Sequence, residues 1–133
     1  MNEIEQRFYD AYKEITETSD YPEDLIDYIK NDLEVQIPIG IYKPDFVLDD
    51  FIIEIDGHEY HKTKEQREND YKRERYFQKK GYKIIRFTGT EVFLNAKECI
   101  RELIDITANY WLDREWKDVE SFRRGRDYVK PTN

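Results

Sequence analysis

Three carboxylate residues in the middle of the chain, Asp45, Glu54 and Asp56, have the types and spacing of a divalent-metal site. Side chains on a β-strand alternate between faces, so Glu54 and Asp56 would share one face, roughly 7 Å apart. Asp45 belongs to the preceding run, which a short turn at Asp49 and Asp50 would pair with the next. Carboxylates this close need a cation, and hard oxygen ligands suit Mg²⁺ or Mn²⁺. Such an ion could polarise a phosphodiester and lower the pKa of an attacking water.

A plainer interpretation makes Glu54 and Asp56 the solvent-facing residues of an edge strand. Two observations favour the metal site instead. Ile52 would lie on the same face as Glu54, which indicates that the face is partly covered. The run YKIIRF supplies a fourth strand, so the strand that carries Glu54 should be an inner one.

Helices are predicted before these strands. The first would bury one apolar face, because its apolar residues are spaced by four, three and four positions. They are Ile4, Phe8, Ala11 and Ile15. A second helix would begin after Ser19 and Asp20, with Pro22 in its first turn, and end near Asn31.

The strands that carry the carboxylates follow. From Leu33 to Ile39 apolar residues alternate with polar ones, which predicts a strand that Gly40 ends. Two further runs, Ile41 to Leu48 and Phe51 to Asp56, are rich in β-branched and aromatic residues. Together they predict a three-stranded meander, followed by a charged helix from Lys64 to Lys80.

Tyr82 to Phe87 is the predicted fourth strand, and Thr88 with Glu91 has the spacing of a capping box that opens a last helix. The face of this helix that packs on the sheet is predicted from helical spacing. It consists of Val92, Ala96, Cys99, Leu103 and Ile106. The complete order predicts one α/β domain, residues 1–133, with a mixed sheet and helices on its faces. Residues 114–133 are interpreted as a flexible basic tail, either a frayed end or a basic arm.

The net charge of −8 argues against a protein that coats nucleic acid, because phosphate binding depends on Lys and Arg. The charge is unevenly distributed, however. The segment from Lys62 to Arg86 carries a net +6, which leaves −14 for the rest. A basic strip beside an acidic cluster suits a metal enzyme that acts on a polyanion, and a solvated helix face is the alternative.

The compartment is expected to be the cytoplasm. No apolar run approaches the length of a membrane span, and the amino terminus lacks the features of a secretory signal. Cys99 is the only cysteine, which excludes an intramolecular disulfide and a cysteine-rich zinc site.

The pair PD at 44–45, a short spacer and EID at 54–56 resemble the PD-(D/E)xK nuclease superfamily, whose core follows an α, β, β, β, α, β order. The stretch QIPIGIYKPDFVLDDFIIEIDGHEYH, with GYKIIRF after it, is similar to small endonucleases related to very-short-patch-repair mismatch endonucleases. The match extends from about Glu5 to about Glu91. The resemblance implies a restriction-endonuclease-like fold in which Asp45 and Glu54 hold the metal.

This chain departs from the superfamily at Asp56, which stands where a lysine usually helps to activate water or to stabilise the transition state. The resemblance indicates His61 as the replacement, because the mismatch-repair relatives carry a working histidine at the matching position. Lys43 is the second candidate, since it lies two residues before Asp45 on a predicted strand and would share its face. A loop role is the alternative for His61 and the favoured one for His58.

The resemblance and the strand pattern also draw attention to residues beyond the carboxylates. Glu5 matches an acidic position that can reach the metal, although Asn2 and Glu5 also have the spacing of a helix-capping pair. On the polar face of the predicted first strand, Gln36 could orient a water or a phosphate, or pair with backbone. Asp70 and Arg73 could form an ordinary surface ion pair, or Arg73 could hold substrate phosphate or brace the site.

The resemblance therefore implies a metal-dependent endonuclease that hydrolyses DNA phosphodiesters. Basic residues would hold the DNA backbone, a contact that positions without specifying sequence. They are Lys62, Lys64, Arg67, Lys72, Arg73 and Arg75. A protein partner could supply specificity. The alternative is a non-catalytic module that keeps the nuclease fold and binds a protein through its acidic surface.

Overall fold

A computed structural model describes the backbone of residues 1–18, 33–57 and 62–124, with side chains up to residue 115. Its elements in chain order are α1 (Glu3–Thr18), β1 (Glu34–Val35), β2 (Phe46–Leu48), β3 (Phe51–Asp56), α2 (Lys64–Lys79), β4 (Lys83–Thr88) and α3 (Gly89–Arg124). The predicted helix from Pro22 to Asn31 lies outside the described residues. Among the described helices, none combines the length and apolar character that a membrane span needs.

The strands form one mixed sheet in the order β1, β2, β3, β4. Strands β1 to β3 are antiparallel neighbours, and β4 runs parallel to β3. The turn between β2 and β3 contains only Asp49 and Asp50, and Asp49 adopts a φ of +53°. This tight turn pairs Leu48 with Phe51 and sets the register of both strands. The predicted α/β architecture, with β3 as an inner strand, is confirmed.

Strands β1 and β2 are shorter than predicted. Gln36 has a left-handed φ of +50°, which turns the chain out of the sheet after Val35. The last bond of the ladder runs from the Gln36 N–H to the Asp45 carbonyl oxygen at 3.0 Å. Pro44, the residue before Asp45, has no N–H to extend the ladder. The alternating pattern through Ile37 therefore did not mark a longer strand, and Ile37 is 42% exposed.

The two faces of the sheet pack against different helices. The larger cluster includes Phe51 and Ile53 of β3 and joins them to residues of α1 and α3. Ile52 packs on the opposite face with Val47 of β2 and Phe77 of α2. Strand β3 thus alternates as predicted, and the face that carries Ile52 also carries Glu54 and Asp56.

Helix α3 begins with the predicted capping box. The Thr88 N–H donates to Glu91 Oε2 at 2.8 Å, and the Glu91 N–H donates to Thr88 Oγ1 at 3.1 Å. The backbone bends at Asn95, where φ is −158°, and the Asn95 side chain accepts from the Glu98 N–H.

Val92, Cys99 and Leu103 of α3 are buried as predicted, and Ala96 packs against the core. After the bend, further residues share the buried face, namely Ile100, Ile104, Thr107 and Ala108. Ile106 was therefore wrongly assigned to this face, and it is 45% exposed. The helix continues through residues 114–124, the first part of the segment interpreted as a tail, and residues 125–133 lie outside the described residues.

Candidate active site

Asp45 and Glu54 lie side by side where the short β2–β3 turn sets the register. The pairing of Phe46 with Ile53 places Asp45, the residue before β2, beside Glu54. The Asp45 N–H donates to Glu54 Oε2 at 3.3 Å, and the Ile55 N–H donates to Asp45 Oδ2 at 2.8 Å. Each carboxylate therefore accepts a hydrogen bond from a backbone N–H at or next to the other acid.

Burial and mutual repulsion act on this pair. Glu54 is 9% exposed, although it carries a carboxylate. The pKa of Asp45 is raised to about 6, first by burial and then by the neighbouring Glu54 carboxylate, against the lowering effect of the Ile55 N–H and Arg73. Asp45 therefore retains its proton to a higher pH than an exposed aspartate does, and a cation beside it would stabilise its charged form.

Arg73 holds Glu54 from the other side. It donates from Nε at 3.0 Å and from Nη2 at 2.7 Å, and both bonds end on Glu54 Oε1. The guanidinium also donates to the Lys43 carbonyl oxygen at 3.1 Å and lies over the rings of Tyr42 and Phe77. This charged pair fixes the orientation of Glu54 and leaves Oε2 directed toward Asp45.

Asp56 lies on the same face of β3 but does not join the pair. Its side chain is 43% exposed and forms an ion pair with Arg86 of β4, with 3.7 Å between Oδ1 and Nη1. Within the part of the chain that the structure describes, no group of three or more acidic, histidine or cysteine side chains is arranged to hold a metal. Asp45 and Glu54 therefore form a pair with Asp56 outside it, and the role of Asp56 as a metal ligand stays a prediction.

Glu5 and Gln36 meet at the edge of the site. Glu5 makes the predicted capping contacts with Asn2, and its Oε2 also accepts from Gln36 Nε2 at 3.3 Å. The Gln36 backbone in turn bonds the Asp45 carbonyl. Glu5 therefore caps α1 and also lies near Asp45. Its position is compatible both with the capping role and with a role at the metal site. Lys43 has an exposed side chain, lies outside β2, and contributes its carbonyl oxygen to Arg73.

The basic residues predicted to bind DNA are divided between two places. Lys62 and Arg67 line an open cleft of about 370 Å³ together with Asp56 and Arg86. Lys64, Lys72 and Arg75 are exposed along α2 and do not line this cleft. His61 and His58 lie outside the described residues, so the role predicted for His61 stays a prediction.

Of the alternatives for Asp70 and Arg73, the ion pair between them does not form. Asp70 bonds Lys62 through Oδ2, and Arg73 bonds Glu54. Both partners are distant in sequence, which i, i+3 spacing on a helix cannot indicate. Of the two functions weighed for Arg73, bracing the site is the one that its contacts fulfil.

A family model, REase_MTES_1575, matches residues 24–106, which is more than half of the chain and includes every residue of the site described above except Glu5 and its capping partner Asn2. The chain belongs to the REase_MTES_1575 family. This is a restriction endonuclease-like family, and its membership agrees with the mixed sheet and flanking helices. No curated protein matches the chain significantly. Among solved structures, the chain is similar to "Homing Endonuclease I-Bth0305I Catalytic Domain", at 13% identity and a TM-score of 0.49, over 85% of this chain and 97% of that one.

The donor set of this REase_MTES_1575 member fits a hard divalent ion. Asp45 Oδ1 accepts no hydrogen bond from the described residues, and Glu54 Oε2 accepts only the long one from Asp45. Two carboxylates with water and substrate oxygens are a common environment for Mg²⁺, which retains several waters. The residues present can therefore hold Mg²⁺ or Mn²⁺ through Asp45 and Glu54.

Sequence reasoning did not select Arg86, which lies at the same site. Its Cα partner on β3 is Glu54, so its side chain shares the face of both acids. The signal was present in YKIIRF, where a single arginine follows two apolar residues near the end of a strand. Without the parallel pairing of β3 and β4, nothing connected that arginine to Asp56.

Proposed function

We propose that this protein is a metal-dependent endonuclease that hydrolyses DNA phosphodiester bonds, with Mg²⁺ or Mn²⁺ held by Asp45 and Glu54. The observation that carries the proposal is the close pairing of these two partly buried carboxylates, each held by hydrogen bonds. Burying two acids side by side is costly, and a divalent ion is the partner that their oxygens suit. Membership of a restriction endonuclease-like family supports the same activity.

In this proposal each contact of the site has a task. Bound there, the ion would supply Lewis-acid activation of the phosphodiester and of the attacking water. Arg73 keeps Glu54 oriented, and Gln36 links Glu5 of α1 to the backbone of Asp45. His61 is proposed as the general base.

DNA would lie along the basic side of α2. Lys62 and Arg67 line a cleft beside Asp56, so they are positioned to contact phosphates next to the site. Such contacts carry no base sequence, and a protein partner is proposed to supply specificity. A closer relation of this protein to the very-short-patch-repair mismatch endonucleases is also proposed, on the sequence pattern alone.

The non-catalytic module remains the second candidate because of one observation. Arg73 already offsets the charge of Glu54 through two hydrogen bonds, so one of the two carboxylates is stabilised without a metal. The two functions differ in whether the purified protein cleaves DNA.

The experiment compares the parent chain with Asp45→Asn and Glu54→Gln on supercoiled, mismatched, branched and single-stranded DNA with Mg²⁺ or Mn²⁺. We expect metal-dependent cleavage by the parent and a loss of at least about 100-fold in each variant. Glu14→Gln is the matched control, because Glu14 is an exposed acid of α1 that pairs with Lys97 away from the site. No cleavage of any substrate by the folded parent would reject the enzyme and favour the module.

A further inference from the structure

A carboxylate site that hydrolyses a phosphodiester needs a fixed positive charge beside the phosphate, where negative charge develops in the transition state. Two arginines, Arg73 and Arg86, pair with acids of β3 on the face of the sheet that carries Glu54. Arg73 donates two bonds to one Glu54 oxygen and is packed between aromatic rings, so it is committed to the metal-binding pair. Arg86 is the other, and its contacts are different.

Arg86 is close to both acids of β3. In the parallel pairing of β3 with β4 its Cα partner is Glu54, and neighbouring strands lie about 4.8 Å apart. Its guanidinium extends toward Asp56, two residues further along β3, and its side chain is 34% exposed. The charge of Arg86 therefore lies beside the position where the superfamily usually has a lysine.

The two ion pairs of Arg86 differ in strength. Nη2 donates to Glu74 Oε2 of α2 at 3.2 Å, which is a hydrogen bond. Nη1 lies 3.7 Å from Asp56 Oδ1, which is too long for a hydrogen bond. Glu74 thus anchors one side of the guanidinium, while Nη1 is held near Asp56 and can still donate to a phosphate oxygen.

Arg86 lines an open cleft of about 370 Å³ with two other basic side chains, Lys62 and Arg67. The acids Asp56, Asp70 and Glu74 line the same cleft, and each of the three pairs with Lys62 or Arg86. A DNA strand in this cleft would bring one phosphate to Arg86 and adjacent phosphates to the other two basic side chains. Of these three cations, Arg86 is the one that pairs with Asp56.

We propose that Arg86 contacts the scissile phosphate and stabilises the charge that develops there, while Asp56 and Glu74 hold its guanidinium in position. Asp56 is then a positioning residue for an arginine delivered from the neighbouring strand, and not a third metal ligand. The inference rests on the proposed function, because it assigns a role within that reaction.

The test measures single-turnover cleavage of plasmid DNA in Mg²⁺ by Arg86→Ala and Arg86→Lys. We expect a fall of about 100- to 1,000-fold for Arg86→Ala and a smaller fall for Arg86→Lys, which keeps the charge. Arg101→Ala is the matched control, since Arg101 is 38% exposed, pairs with Glu98 and belongs to α3 on the other face of the sheet. It should cleave within about twofold of the parent.

Two further readouts separate a catalytic contact from a structural one. Millimolar guanidinium ion should partly restore cleavage by Arg86→Ala and leave Arg101→Ala unchanged. The affinity of Arg86→Ala for a labelled duplex in Ca²⁺ should fall by less than about tenfold, because one phosphate contact contributes little to total binding. A loss of cleavage without guanidinium rescue, together with a lowered melting temperature, would overturn the inference.

The remaining outcomes distinguish the inference from the proposed function. If the parent cleaves, Asp45→Asn does not, and Arg86→Ala cleaves at the parental rate, the inference is wrong and the proposed function stands. If Asp56→Asn removes the heat of Mn²⁺ binding, Asp56 is a ligand and the inference is also overturned. If the folded parent cleaves nothing, both fail together.

Discussion

Arg73 donates two hydrogen bonds to a single oxygen of Glu54, from Nε at 3.0 Å and from Nη2 at 2.7 Å. The other Glu54 oxygen is thereby directed to Asp45, whose N–H it accepts. The Arg73 side chain is only 30% exposed, and its guanidinium lies over the rings of Tyr42 and Phe77. Because Arg73 belongs to α2, this helix fixes the orientation of an acid on β3. The candidate metal pair thus depends on the packing of a helix that supplies no ligand.

Replacement of Arg73 should cost stability as well as activity. Arg73→Ala leaves Glu54 nearly buried without its cation, and we expect a loss of about 2–3 kcal/mol, below the range for a fully buried pair because Arg73 is partly exposed. Urea unfolding measures this change. In a Glu54→Gln background the same replacement should cost much less, and an equal cost in both backgrounds would show that the arginine acts through other contacts.

The stability of the protein should depend on pH through Asp45. Since its folded pKa is raised to about 6, the folded chain retains a proton that the unfolded chain releases above pH ~4. The free energy of unfolding therefore falls as the pH rises from about 4 to 6, and it stays lower above that range.

Asp45→Asn removes this pH dependence. We expect it to be more stable than the parent at pH 7, by about 1–2 kcal/mol after allowance for solvent screening, and equally stable near pH 4. Urea unfolding at both pH values checks this. A variant that is less stable than the parent at pH 7 would contradict the assignment.

Mn²⁺ should bind the folded protein through Asp45 and Glu54. Calorimetric titration should give a binding heat for the parent and none for the Asp45→Asn, Glu54→Gln double variant. At ten times its dissociation constant, Mn²⁺ should raise the free energy of unfolding by about 1.4 kcal/mol. Equal heats for the parent and the double variant would exclude these two residues as ligands.

His61 is predicted to act as the general base. His61→Ala should reduce the cleavage rate by about 100-fold at pH 7 and remove the rise of the rate through the titration range of an imidazole. A pH–rate profile in Mg²⁺ measures both. Cleavage as fast as that of the parent at neutral pH would show that the base assignment is wrong.

Gly40 should be more sensitive to substitution than Gly81. Both have positive φ, +61° and +90°, so alanine strains the backbone at either position. At Gly40 the added Cβ would also lie 1.7 Å from the Tyr76 hydroxyl oxygen, whereas nothing lies within 4 Å of it at Gly81. We expect Gly40→Ala to cost about 1 kcal/mol more than Gly81→Ala in urea unfolding. Equal costs would show that Tyr76 moves aside freely.

The sequence by itself determined the elements around the site. Alternation along β3 placed Glu54 and Asp56 on one face, and the spacing of Thr88 and Glu91 identified the start of α3. The pairing of Asp45 with Glu54 could also be predicted from the sequence, because a two-residue turn leaves one register for the strands that it joins. These features depend on residues close together in the chain, where periodicity and turn chemistry are informative.

Tertiary structure decided which charges meet. The sequence left Arg73 between an ion pair with Asp70 and a role at the site, and the packing of α2 brings it to Glu54. Arg86 pairs with Asp56 across a parallel strand. The backbone of Gln36 adopts a left-handed conformation, so the chain leaves β1 although the sequence continues to alternate. Pro44 ends the hydrogen-bond ladder between β1 and β2 at the same place. Such partners are set by how α2 and β4 pack on β3, because the cost of burying a charge is offset only by a partner that the fold brings to it.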